Sequence, residues 1–126
     1  MQITLDIPSK RLADLMVSAF EGATTYWAQA AHPSMPLGKE YESPWYSDPK
    51  FWEGSFSVDV RFDDPAKPEG NGKGRKTIGP DDVKKGFELM ATKYGHHFGE
   101  FMRENEDAET ADVFLQCVVL GDLVYG

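Results

Sequence analysis

Two sets of residues have the types and spacing to do chemistry. Tyr26, Trp27, Trp45, Tyr46 and Trp52 concentrate flat rings in one stretch, and all three tryptophans lie between positions 27 and 52. Stacking of a base on such a ring contributes about 1–3 kcal/mol, so this set could build a cage around a planar ligand. Glu21 and Asp112 are the expected polar partners if the fold brings them near. The basic residues gather at Lys67, Lys73, Arg75 and Lys76, among Gly70, Gly72 and Gly74. That run resembles neither a Walker loop nor a dinucleotide fingerprint, yet glycine-freed backbone amides can cradle a phosphate. Rings and phosphate donors together define one candidate ligand-binding set: Tyr26, Trp27, Trp45, Trp52, Lys73, Arg75 and Lys76. The plainer reading is core packing for the rings and a hairpin tip for the basic run.

The second set is acidic. Glu100, Glu104, Glu106, Asp107, Glu109 and Asp112 face only Arg103 between positions 100 and 112. Such a run suits a carboxylate metal site, an acid/base pair, or a surface that imitates nucleic acid. A calcium loop needs a central glycine, which Glu104 to Thr110 lacks. A solvated turn with a helix cap is the plain alternative. His96 and His97 are adjacent, about 100° apart on a helix, and so do not share one metal as an i, i+4 pair does. One packed and one solvated histidine is expected, with His32 elsewhere. Cys117 sits in the most apolar run, where a thiol is inert. No nucleophile elbow or paired-histidine zinc motif is present. No catalytic residue, metal or cofactor is expected.

These residues need elements to position them. Ile3, Leu5 and Ile7 alternate with polar neighbours, which predicts a half-buried strand over 2–7. Ser9 is the expected cap of a helix whose apolar stripe is Leu12, Leu15, Met16, Ala19 and Phe20, with Gly22 as its stop. Residues 23–29 favour a strand by their β-branched and aromatic content, or else a continuation of that helix. Four prolines among many aromatics make 31–54 an ordered but irregular cover over something apolar. Ser55 to Phe62 is a strand by strict alternation. An exposed, mobile loop over 63–76 follows, with a short return strand over Lys76 to Ile78.

Pro80, Asp81 and Asp82 open a helix that buries Val83, Phe87, Met90, Ala91 and Tyr94, with Gly86 allowing close packing. Gly95 interrupts it. A short helix over His96 to Glu104 turns Phe98, Phe101 and Met102 inward. Asp107 caps a last helix, Ala108 to Leu120, whose run Val113–Leu120 is apolar nearly all round; a buried strand is the alternative there. Gly121 stops it, and Leu123 to Tyr125 form a terminal strand that could pair across a homo-oligomer. The whole reads as one α+β domain over 1–126: a small antiparallel sheet of three or four strands packed against three or four helices.

Thirteen basic against 21 acidic side chains leave a net charge of −8. That argues against direct binding of free nucleic acid and against charge-driven docking on a membrane. No apolar run approaches a membrane span, and no secretory signal is expected. A single cysteine is consistent with a reducing cytoplasm.

Two stretches carry a resemblance. Glu21-Gly-Ala-Thr-Thr-Tyr-Trp27 follows the first helix. Lys93-Tyr-Gly-His-His-Phe98 and Asp107-Ala-Glu-Thr-Ala-Asp-Val-Phe-Leu-Gln-Cys117 lead to Gly121-Asp-Leu-Val-Tyr-Gly126. Together they resemble a family of small bacteriophage and prophage proteins over residues 9–27 and 80–126, with departures at Ala23 and Gly95. The resemblance assigns no activity and no catalytic residues. It implies a phage setting, in the cytoplasm of the infected bacterial host, where small non-enzymatic proteins counter host defence. Three expectations follow. The first is sequestration of a small nucleotide immune signal by the aromatic and basic set. The second is an anti-CRISPR-like inhibitor whose acidic surface blocks a nucleic-acid-binding host protein. The third is a small enzyme acting on a nucleotide.

Overall fold

The computed structural model describes residues 7–35, 41, 44–63, 73–104 and 107–125. The strand expected over 2–7 lies outside these residues, apart from Ile7, which is in no strand.

The fold is α+β. Helix α1 (Ser9–Ser18) is followed by a wide π-type turn, Ala19–Ala23, and strand β1 (Ala28–Pro33). A single turn of 3₁₀ helix, Trp45–Ser47, leads into the short helix α2 (Pro49–Glu53). Strands β2 (Val58–Asp63) and β3 (Lys73–Ile78) precede α3 (Pro80–Lys93), α4 (Gly95–Met102) and α5 (Ala108–Val119).

The sheet is antiparallel, in the order β1-β2-β3. Val58 faces Ile78, and Phe62 faces Gly74 on one side and Ala28 on the other, with a bulge between Ala28 and Ala30. Alternation assigns the faces. Val58, Val60, Phe62, Gly74 and Ile78 are buried, while Arg61, Lys73, Arg75 and Thr77 stand in solvent. A sheet apolar on one side must be covered there. The covering core is one contiguous cluster drawn from the helices, the aromatic cover and these strands.

Close packing of α3 on α5 depends on Gly86. A Cβ there would lie 2.4 Å from Val118 Cγ2 and 3.1 Å from Val118 backbone atoms. That approach brings Phe87 to 4.5 Å from Phe114 and 5.3 Å from Phe101, centroid to centroid. On α1, the Arg11 guanidinium lies over the Phe101 ring at 4.4 Å and donates to the Phe101 carbonyl oxygen.

Several boundaries differ from expectation. Pro8, not Ser9, occupies the cap position of α1, and Ser9 is its first residue. Gly22 does not stop the helix. The chain widens into the π-type turn, held by Thr24, whose hydroxyl and amide both donate to the Ala19 carbonyl oxygen, and extended structure begins only at Ala28. The exposed loop expected over 63–76 is shorter at its far end. Lys73, Gly74 and Arg75 pair with Asp63, Phe62 and Arg61 in the ladder; residues 64–72 lie outside the described residues. Met102 faces solvent rather than the core, at the end of α4, while Phe101 is buried and Phe98 packs partly buried against the core as expected. Residues 113–119 are helical, and Leu123 to Tyr125 are irregular rather than a strand. Gly121 ends α5 as expected, at φ +77°, a conformation that favours glycine.

Candidate functional site

The site is built around α5. Asp107 caps it: one carboxylate oxygen accepts from the Thr110 amide at 2.9 Å, and that bond holds the Asp107 carboxyl below its usual range. The exposed first turn carries Glu109. One turn further on the helix face, at i+3, Asp112 takes part in a polar network. Its Oδ1 accepts from Trp27 Nε1 at 2.7 Å and from Gln116 Nε2 at 3.0 Å. Its Oδ2 accepts from the Tyr26 hydroxyl at 2.5 Å.

Gln116 is fully buried and satisfied on both ends. Its Nε2 donates to the Tyr125 carbonyl oxygen at 2.9 Å, and its Oε1 accepts from the amides of Val124 and Tyr125, each at 2.8 Å. The side chain therefore acts as a short piece of sheet edge, fixing the C-terminal segment in place. Tyr125 then stacks on Trp27 at 6.1 Å and 17° and meets Tyr26 edge-on at 6.0 Å, while its hydroxyl donates to the Asp63 carbonyl oxygen at 2.7 Å.

A second clamp holds the same segment. Asp122 accepts from Lys93 Nζ at 2.7 Å and from the Tyr94 hydroxyl at 2.5 Å. The Lys93 and Tyr94 donors, with the Leu123 amide, pull the Asp122 carboxyl down to about 2. Cys117 lies beside this clamp, buried, and burial pushes its thiol up to about 11, which suits a packed thiol rather than a nucleophile.

The aromatic set does not converge into one cage. Tyr26 and Trp27 belong to the α5 network. Trp45, Tyr46 and Trp52 belong to a separate aromatic block with Phe20, Phe51 and Phe56. Trp27 and Trp52 are buried in the core, their indole N–H groups engaged by Asp112 and by the Tyr46 carbonyl oxygen. The two expected polar partners are divided likewise. Glu21 accepts from the Tyr46 hydroxyl at 2.8 Å, and Asp112 serves Tyr26 and Trp27. A cleft of about 160 Å³ between the π-type turn, β1 and Tyr46 is lined by Phe20, Thr24, Gln29 and Tyr46, among others.

The basic set is likewise committed within the chain. Lys73 pairs with Asp63 at 2.8 Å and Arg75 with Asp59 at 2.9 Å, across the outer face of the sheet. The Asp59 carboxyl is held low by the Thr77 hydroxyl and by Arg75. Lys76 alternates to the other face, where it pairs with Asp82 at 3.6 Å and donates to the Val118 carbonyl oxygen at 3.3 Å, near the negative end of α5.

The acidic set is only partly neutralised. Glu100 pairs with Arg103 at 2.9 Å, and Glu104 lies 3.8 Å from Arg11. Glu106 lies outside the described residues. No lysine or arginine among the described residues forms an ion pair with Asp107, Glu109 or Asp112. His97 packs with Nδ1 3.0 Å from the Thr110 hydroxyl and Nε2 4.0 Å from Glu109, and His96 is exposed. The Thr110–His97–Glu109 row has the residue types of a nucleophile relay, but Thr110 is sealed in the core. Among the described residues no three His, Cys, Asp or Glu side chains are grouped to hold a metal ion, and no helix is long and apolar enough to cross a membrane.

Gln116 and Tyr125 are the residues that sequence reasoning passed over. The signal was present: one glutamine inside an apolar helical run must be satisfied by something once buried. Comparison of the chain with protein-family models, with curated proteins and with solved structures gave no match.

Proposed function

We propose that this chain is a phage anti-defence protein that works by binding, and that its acidic α4–α5 corner occupies a basic, nucleic-acid-type surface on a host protein. The observation that carries this reading is the distribution of charge. Lys73, Arg75 and Lys76 are each bonded to carboxylates of their own chain, whereas Asp107 and Glu109 present exposed carboxylates with no lysine or arginine partner among the described residues. A partner with an excess of positive charge is steered to such a corner, and binding weakens with salt.

Nucleotide sequestration is the second reading. The observation in its favour is the cleft beside Phe20 and Tyr46. Its volume of about 160 Å³ is below the roughly 300–1,000 Å³ common for small-molecule pockets.

Thermal unfolding separates the two. The protein is melted with an oligo-lysine peptide and, in parallel, with cyclic oligonucleotides and cyclic ADP-ribose isomers. The expected result is stabilisation by the peptide, lost at high salt and in Glu104→Lys/Glu109→Lys, with no shift from any nucleotide. A ligand at 100 times its dissociation constant adds about 2.7 kcal/mol. A shift of that size with a cyclic nucleotide overturns the acidic reading in favour of sequestration.

A further inference from the structure

Tyr26 is the exposed member of an otherwise closed network. Its side chain is 55% accessible, yet its hydroxyl is anchored on Asp112 Oδ2. One edge of its environment is Tyr125. A phenol that donates to a carboxylate has a more electron-rich ring, and the face of such a ring attracts cations.

The carboxylate behind the ring is held still. Trp27 and Gln116 fix its other oxygen, so no ordering of Asp112 is needed when a partner arrives. Glu109 stands one helical turn away on the same face of α5 and is well exposed. The site thus offers a half-exposed aromatic ring, a carboxylate held at its hydroxyl and a second carboxylate within a turn.

We propose that Tyr26, with Asp112 at its hydroxyl and Glu109 beside it, is a seat for an arginine side chain of a basic protein partner. This rests on the acidic-surface reading and says which contact gives that surface selectivity. Arginine fits where lysine does not. A guanidinium is planar, stacks on an aromatic face, and keeps its N–H fork free for carboxylates at the ring edge, while an ammonium is a compact, strongly hydrated point charge. The chain already makes this contact once, with the Arg11 guanidinium over Phe101 at 4.4 Å. Burial and the Asp112 carboxylate push the Tyr26 hydroxyl up to about 12, so the phenol stays neutral and donating at physiological pH.

The test titrates labelled oligo-arginine and oligo-lysine peptides of equal length into the whole protein, read by fluorescence anisotropy at low salt. The wild type is expected to favour oligo-arginine by about two- to fivefold, the range of one exposed cation–π contact. Tyr26→Ala is expected to lower the affinity for oligo-arginine more than that for oligo-lysine, so that the preference is lost. Tyr26→Phe keeps the ring against Tyr125 and loses the hydroxyl, so its preference falls without unfolding. Equal affinity of the wild type for both peptides, or an unchanged preference in both variants, overturns the arginine seat and leaves the acidic reading standing. Failure of both peptides to bind the wild type overturns the acidic reading itself.

Discussion

The α5 network and the aromatic block solve the same problem in opposite ways. Each ties an aromatic hydroxyl to a carboxylate, Tyr26 to Asp112 and Tyr46 to Glu21. In the network, direction decides. Gln116 meets the backbone of residues 124 and 125 with one donor and two accepted bonds, and a third partner, Asp112, fixes its orientation. In the block, shape decides. Phe51 touches Tyr41, Trp45, Trp52 and Phe56 through ring edges and faces alone. A directional region tolerates no change of hydrogen-bonding type, even at constant volume. A shape-driven region tolerates change of type and resists only loss of volume.

The largest effect should come from a nearly isosteric change in the network. Gln116→Glu turns the donor that faces Asp112 and the Tyr125 carbonyl into an acceptor, and places a second carboxylate beside the first in the core. A loss of more than about 3 kcal/mol is expected in denaturant unfolding. A loss under about 1 kcal/mol would mean that the network is not what holds the C-terminal segment.

Gly86→Ala comes next, because it presses on the helix that carries the network. The added methyl meets Val118 Cγ2 at 2.4 Å and backbone atoms at 3.1 Å. Overpacking of this kind costs about 1–3 kcal/mol, partly offset by about 1 kcal/mol of helix propensity. Because a 2.4 Å contact lies at the severe end of that range, a net loss of about 2 kcal/mol is expected, read as a lower melting temperature.

Phe51→Leu is the matching change in the block. It preserves apolar character and most of the volume, and about 1 kcal/mol of destabilisation is expected. Should it exceed the Gln116→Glu loss, the contrast between the two regions fails.

The smallest effects are at the extremes of pH. The Asp122 carboxyl is lowered from an ordinary 3.8 to about 2, so its contribution is complete above about pH 4 and is lost as pH falls through 2. The Tyr26 hydroxyl is raised from 10 to about 12; its contribution is complete below about pH 10 and is lost as pH rises through 12. Protection of the Leu123 to Tyr125 amides, relative to their intrinsic exchange rates, should therefore fall at both ends, ahead of protection in the sheet.

The contrast also explains what the sequence could reveal. Period-2 alternation at Val58, Val60 and Phe62, the capping aspartate before α5, and the glycine that lets α3 meet Val118 are local signals, and they were readable. The aromatic block was readable only as a cover over something apolar, since ring packing has no sequence period. From sequence, Lys73 and Arg75 read first as a hairpin tip and, because glycines surround them, second as a phosphate cradle; the antiparallel β2–β3 pairing fits the first. Their partners Asp63 and Asp59 lie 10 and 16 residues away, across a ladder. The α5 network was the least readable. Its bonds join positions 26 and 27 to 112, and only pairing in space reveals why a glutamine stands in an apolar helix.

The most direct measurement for the account is capture from phage-infected bacteria, with wild-type protein and Glu104→Lys/Glu109→Lys as paired baits, both confirmed as folded by circular dichroism. A basic host protein is expected in stoichiometric amount on the wild-type bait alone, released by raising the salt. The same protein retained equally by the charge-reversed bait would contradict it.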